Sequence, residues 1–418
     1  MHFLRLVYVL WRTWRSVCQC GASSPRIHDG GNAMSATVAD ERPSVGRLLR
    51  SAREPQPRTT NFKFLWFVVI AANLFGLLMI LSASSVTALY QYGTSWYQFR
   101  LQAGWFAIGC FAMFAMSRYS YEKLSKWMKL ALFGSAGLMV AVLIPGVGVS
   151  VNGSSRWLGW GPLRMQPSEF VKLAVILYAA DTLTRRVGQI RDWKAVMRPI
   201  AIVFGAFAVM LMAQPNLGTT IILATIVLVM LFVGGVPGKP LALLSGLLVG
   251  AAAFFAIREP YRWRRLMSFR DPWADPLYTG YQSLQSQIGF ANGGVLGTGL
   301  GQGRAKWGFL PEAHTDFIYA IIGEEIGLVG SVLVIGIFLA FALLGIRTAL
   351  HARDRFGMLL ATGITTWILI QAFINVGACV GVLPITGVPL PFVSAGGSSL
   401  VVTMAASGIL LNIARQGR

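Results

Sequence analysis

Leu310-Pro311-Glu312-Ala313-His314-Thr315-Asp316-Phe317 is the stretch on which the reading of this chain turns. It closes the longest non-apolar segment outside the N-terminal region, and the hydrophobic run 317–346 starts at its last residue. A run of that length is more than the roughly 20 residues a helix needs to cross a bilayer. The octapeptide therefore lies at a membrane edge, with Glu312, His314 and Asp316 inside five residues. Acids so placed are costly unless they bind or react with something. The plainer reading makes Asp316 the N-cap of the helix that follows, where an acceptor and a negative charge are both favoured. The octapeptide by itself leaves both open.

The rest of the 418-residue chain supports the membrane setting. Hydrophobic residues make up 55% and charged residues 12%, with a mean hydropathy of +0.60. Soluble domains carry about twice that charged fraction. The net charge of +20 and pI near 10.5 could point to nucleic acid. The basic residues, however, are scattered between apolar spans, as topology selection leaves them, so no nucleic-acid partner is expected. Cys18, Cys20, Cys110 and Cys379 show no metal-ligand spacing and imply no disulfide framework.

Working outward, the expected fold class is an all-α polytopic membrane protein with ten transmembrane helices: 62–83, 99–117, 127–146, 168–184, 198–213, 217–235, 239–257, 317–346, 357–381 and 391–413. Arg118, Lys123, Lys126, Lys129, Arg185, Arg186, Arg191, Lys194, Arg198, Arg347, Arg353, Arg355, Arg415 and Arg418 all fall on the side of the Arg-rich N-terminus. That side is cytoplasmic by the charge rule, and so both termini are expected inside. Residues 1–61 read as a disordered cytoplasmic segment without a signal peptide. Met34 is an alternative start that would leave 1–33 untranslated. Residues 62–418 form the membrane domain.

One large extracytoplasmic loop, 258–316, then joins the seventh and eighth spans. It carries Arg258, Arg262, Arg264, Arg265, Arg270, Arg304 and Lys306 against the charge rule, which long loops are permitted to break. Arginine forks beside a bilayer suit a phosphate-bearing partner, or else anionic headgroups. Glycines at 289, 293, 294, 297, 299, 301 and 303 lack the strand and lysine spacing of a P-loop. They read as a flexible segment whose amides could approach a ligand.

Further polar residues cluster toward the same face. Pro167 and Ser168 open a helix on which Glu169 and Lys172, three apart, share one side, as a locking ion pair or as part of a cavity. Ser155-Arg156-Trp157 and Arg164 precede them, and Gln214-Pro215-Asn216-Leu217-Gly218-Thr219 has ordinary turn chemistry. Glu324, Glu325, Gln371 and Asn375 are expected to face inward, and Phe392 through Ser399 begins the last span with small residues. A transporter more often places its polar site at the midplane, on broken helices. An interfacial cluster suits a lipid substrate with a polar head.

These motifs, in this order, resemble the SEDS family of cell-wall proteins (FtsW, RodA, SpoVE). To those already quoted are added Glu259-Pro260-Tyr261-Arg262, Asp275-Pro276 with Gly280-Tyr281-Gln282, Gly323-Glu324-Glu325, Leu383-Pro384 with Thr386-Gly387, and Ser394 with Gly396-Gly397-Ser398-Ser399. The likeness runs from about Phe64 to the C-terminus, and Pro-Glu-Ala-His-Thr-Asp at 311–316 is most similar to the FtsW branch.

The resemblance implies a peptidoglycan glycosyltransferase that polymerises lipid II at the outer face of the bacterial cytoplasmic membrane during division, at the septum. The family's catalytic aspartate falls on Asp316, which would act as general base on the acceptor sugar hydroxyl, with inversion. The expected substrate-binding set is Glu169, Lys172, Arg156, Arg262, Glu312, His314, Ser394 and Ser398, with Arg262, Arg156 and Lys172 holding the pyrophosphate. A divalent cation, Mg or Mn, could share that task, although no ligand cluster marks it. The implied partners are a class B penicillin-binding protein and other divisome membrane proteins. Where the family often has Asp in the 214–219 turn this chain has Asn216, which puts a role for that position in doubt. The rival readings are a lipid II flippase and a non-catalytic division scaffold.

Overall fold

The computed structural model describes residues 60–151, 154–160, 163–189, 192–258, 263 and 267–417, all within one compact unit, Gln56–Arg418. The expected disordered segment lies outside the described residues except at its end, where Thr60 and Asn61 already belong to the first helix. The helices are α1 (Thr60–Tyr92), α2 (Tyr97–Arg118), α3 (Leu124–Leu143), α4 (Pro167–Arg185), α5 (Trp193–Ala213), α6 (Leu217–Val233), α7 (Gly238–Arg258), α8 (Tyr281–Gly293), α9 (Ile318–Glu325), α10 (Gly327–Leu350), α11 (Arg355–Cys379) and α12 (Gly397–Gln416).

Every one of the ten expected segments contains helix. Among the described residues, eight helices are long and apolar enough to cross a membrane. The two exceptions differ in kind. α6 has the apolarity but only 17 residues. α4 has 19 residues but carries Glu169, Lys172, Asp181 and Arg185, a composition that needs protein around it rather than lipid.

Burial sorts the helices accordingly. The apolar windows of α12 and α11 are 83% and 67% buried, against 6% for α7. α12 runs along α2, and α11 is packed by α4, α6 and α10. Small residues permit the close approaches. A side chain at Gly408 on α12 would overlap the Met113 carbonyl of α2, and one at Gly345 on α10 would overlap Thr365 of α11. The helix ends are capped by local chemistry: Asp354 accepts from Gly357 N at 3.3 Å to start α11, and Asn216 Oδ1 accepts from Thr219 N at 3.3 Å to start α6.

Three expectations are corrected. The chain is not purely α-helical: β1 (Gly148–Val151), β2 (Ser154–Trp160) and β3 (Leu163–Met165) form an antiparallel sheet in the order β1-β2-β3. Its strands are too short for an alternating pattern to stand out, and β3 delivers the chain directly to Pro167 at the start of α4.

The eighth span is broken. α9 stops at Glu325, and Gly327, at φ +73°, restarts the chain as α10. The glycine-rich stretch repairs the break: Leu328 N and Val329 N donate to the carbonyls of Gly294 and Val295, while Thr298 N and Gly299 N donate to those of Glu324 and Glu325. Backbone groups orphaned inside a bundle must find such partners. The tenth helix, lastly, begins at Gly397 rather than 391, because residues 391–394 form a turn.

Candidate active site

α11 is the spine of the site. On it Gln371 and Asn375, one turn apart, are both buried. Gln371 Oε1 accepts from Lys172 Nζ at 2.8 Å and from Trp367 Nε1 at 2.9 Å. Its Nε2 donates to the Pro389 carbonyl at 3.0 Å. Asn375 Nδ2 donates to the Asp316 carbonyl at 2.7 Å and to the Val388 carbonyl at 2.8 Å. The extended segment after α11 thereby hangs from two side-chain amides, and it passes the Asp316 carboxylate at Gly387. A Cβ there would stand 3.5 Å from Asp316 Oδ2.

Asp316 itself is half-buried and lies in the turn before α9. The N-cap of α9 is Phe317, with no side-chain capping bond, so the cap reading of Asp316 does not match its position. Its carbonyl also accepts from Cys379 Sγ at 3.5 Å, one turn further along α11 than Asn375.

Glu169 and Lys172 sit where α4 meets α11 and α12. Lys172 Nζ donates to Glu169 Oε1 at 2.8 Å and lies 4.7 Å from the Trp367 ring centre. The other carboxylate oxygen accepts from Ser399 Oγ at 3.2 Å. Both charges are buried, 3% and 1% exposed. A buried pair survives when each partner's remaining hydrogen-bonding capacity is also met, as here. Ser398 joins the same corner by accepting from Gln166 N at 3.0 Å. Ser394 accepts from Leu390 N at 2.8 Å and closes the turn that leads into α12.

The remaining expected residues fall less centrally. Glu312 is exposed at φ +56°, with Thr315 Oγ1 donating to its Oε2 at 2.8 Å. The His314 carbonyl accepts from Ala395 N at 2.9 Å, tying the Asp316 segment to the start of α12. Burial pushes the His314 imidazole below its ordinary range, opposed by the nearby Glu312 carboxylate. Arg156, on β2, donates from Nε to the Gln214 carbonyl at 3.1 Å and also to the Pro215 carbonyl, pinning the turn before α6. Gly218 of that turn packs on Thr386 and Val388. Arg262 lies outside the described residues.

Several participants were not legible in the sequence. Lys306 read as one more positive charge of the large loop, yet it is 3% exposed and its Nζ lies 2.8 Å from Glu325 Oε1. Ser82 of α1 donates to the other oxygen of Glu325 at 2.6 Å. Just past the glycine-rich stretch, Arg304 N and Ala305 N donate to the Glu324 carboxylate at 2.9 and 3.0 Å, so these amides serve the protein's own anion. No signal short of the contacts themselves could have paired residues so far apart. Among the described residues no three of His, Cys, Asp and Glu converge as metal ligands.

Comparison with known proteins agrees with this architecture. The family model FTSW_RODA_SPOVE, described as cell cycle protein, matches residues 62–418. Stage V sporulation protein E of Bacillus subtilis is 40% identical over 364 residues, covering 86% of this chain and 99% of that protein. A probable peptidoglycan glycosyltransferase FtsW of Nitrosococcus halophilus is 41% identical over 371 residues, covering 87% and 95%. A solved chain from a study titled for the coordination of polymerization and crosslinking by a peptidoglycan synthase complex is similar at TM-score 0.70 and 28% identity, over 84% of this chain and 97% of that one. The rod shape determining protein RodA of Thermus thermophilus is similar at TM-score 0.63 and 27% identity, over 84% and 96%.

Proposed function

The chain belongs to the FTSW_RODA_SPOVE family of cell cycle proteins, and from that premise we propose that it is a peptidoglycan glycosyltransferase that polymerises lipid II. The observation that carries the mechanistic reading is the placement of Asp316. Its carboxylate stands in a turn at the end of a membrane bundle, half-buried, facing the glycine at 387. A general base must reach the proton it removes, and a half-buried carboxylate at the bundle edge is placed to do so.

Lipid II carries its disaccharide on a polyprenyl pyrophosphate, so the leaving group is already good. The difficulty lies in the attacking hydroxyl. Asp316 takes the proton of the acceptor sugar's 4-hydroxyl as that oxygen attacks the anomeric carbon of the donor. The C–O bond to pyrophosphate breaks from the opposite side, which inverts the α-linked donor to a β-linked product. A positioned base supplies about 10²–10⁴-fold.

Pyrophosphate charge must be met by cations. Lys172 is sealed against Glu169 and Gln371, and Arg156 holds two turn carbonyls, so in this arrangement both shape the site. The contact to pyrophosphate is assigned to Arg262 in the large loop, with a divalent cation as the group that could share it. A class B penicillin-binding protein is the expected crosslinking partner, and the division septum the expected place of work.

The test is direct. Purified Asp316→Asn, incubated with lipid II in detergent, should make no glycan strands visible on a gel while eluting as a folded protein. Strands of undiminished yield from that variant would return Asp316 to a structural role.

A further inference from the structure

The segment 383–391, between α11 and the turn that starts α12, carries no regular structure. Yet it is what faces Asp316, so its position fixes the wall of the site opposite the carboxylate. Two successive carbonyls of this segment, those of Val388 and Pro389, are met by side-chain amides of α11 rather than by neighbouring backbone. The two amides come from residues at i and i+4, and so share one helical face.

Each amide also has a second partner, and those partners differ. The Nδ2 of Asn375 divides its two hydrogens between Val388 O and Asp316 O, which locks the wall and the base to a single atom. Gln371 joins the Pro389 carbonyl to Lys172, and through Lys172 to Glu169. The result is two runs of hydrogen bonds of 2.7–3.2 Å, Ser399–Glu169–Lys172–Gln371–Pro389 and Val388–Asn375–Asp316, joined by the backbone between residues 388 and 389.

We propose that Asn375 and Gln371 are positioning residues that hold the 383–391 segment and Asp316 in register and make the Glu169–Lys172 pair part of the same rigid unit. This rests on the reading of Asp316 as the general base. Neither residue touches substrate; both act through the placement of Asp316. An error of about 1 Å in the position of a reacting group costs on the order of 10²-fold in rate.

Two variants separate positioning from folding. Asn375→Leu keeps the volume and removes both donors. Gln371→Glu keeps the acceptor for Lys172 and Trp367 and replaces the amide donor to Pro389 with a carboxyl group. In a lipid II polymerisation assay, both should lower kcat by roughly 10–100-fold with KM within about twofold, Asn375→Leu more severely. Asn375→Leu, which adds no titratable group, should also move the acid midpoint of the pH–kcat profile by about half a unit or more, because the environment of Asp316 changes. Among the described residues, Cys379 on α11 and Glu312 and His314 on Asp316's own segment are titratable neighbours, and Asn375→Leu alters none of them.

A fall in kcat with the midpoint unmoved would mean only that fewer molecules fold, and would overturn the proposal, as would unchanged kcat. Asp316→Asn measured alongside keeps the two readings apart. If it is inactive while Asn375→Leu and Gln371→Glu match the wild type, positioning fails and the base stands. If Asp316→Asn is active, the base itself fails.

Discussion

Lys306 Nζ and Glu325 Oε1 lie 2.8 Å apart, both side chains sealed from solvent, at the break between α9 and α10. The pair fastens the large loop to the membrane helices, since Ser82 of α1 donates to Glu325 and accepts from Lys306 at 3.2 Å. Removing one partner of a buried pair leaves the other charge uncompensated and costs ~3–5 kcal/mol. Lys306→Met should therefore lower the thermal unfolding temperature in detergent substantially. Lys306→Met with Glu325→Gln should recover part of the loss, because the orphaned charge is gone. A single variant that melts like the wild type would show the pair to be dispensable.

How much of this could be read in the chain follows from the range of each interaction. Apolar runs announce helices because a span needs only its own residues, and Pro167 marks a helix start within a turn of itself. The octapeptide at 310–317 placed Asp316 at the bundle edge by the same local logic. Gln371 and Asn375 could be seen to face inward, but their partners lie elsewhere in the chain. The break at Gly327 was hidden because a glycine within an apolar run reads as ordinary packing until the loop at 294–299 is seen to meet it. Lys306 was misread for the same reason: its neighbours in sequence are loop, its neighbour in space is Glu325.

The Glu169–Lys172 pair should behave as one unit. Glu169→Gln removes the charge that compensates Lys172, and Lys172→Met orphans Glu169, so each single variant should lower glycan synthesis and stability. The double variant should be no worse than the more severe single, with a coupling energy of ~0.5–3 kcal/mol in a double-mutant cycle on thermal stability. Strictly additive losses would mean that the two side chains serve separate purposes despite their 2.8 Å contact.

His314 supplies a pH signature. Burial lowers its pKa in the folded protein below the ordinary value of 6.5, so the folded state takes up its proton later than the unfolded state. The unfolded chain then binds more protons between the two values, so stability falls as the pH is lowered through that window. The contribution is intact above the ordinary histidine range and is lost as the pH drops below it, levelling once the folded form also protonates. Melting temperatures from pH 7.5 down to 5 should decline less steeply in His314→Gln than in the wild type. Parallel curves would show that His314 titrates alike in both states.

Gly387 is where backbone conformation and chemistry meet. Its φ of +70° lies in the left-handed region, which costs a residue bearing a Cβ ~1–2 kcal/mol. Gly387→Ala therefore strains the segment that faces Asp316 and places a methyl group 3.5 Å from Oδ2, in contact with the carboxylate proposed as base. The strain acts on stability and the methyl on the base, so the two effects can be told apart. The expected outcome is a small fall in melting temperature together with a rate loss of roughly tenfold or more at saturating lipid II. Gly387→Asn, which tolerates a left-handed backbone better, should regain stability without regaining rate, because its larger side chain still crowds the carboxylate. Recovery of both by Asn would assign the whole effect to the backbone and leave crowding of Asp316 without a role.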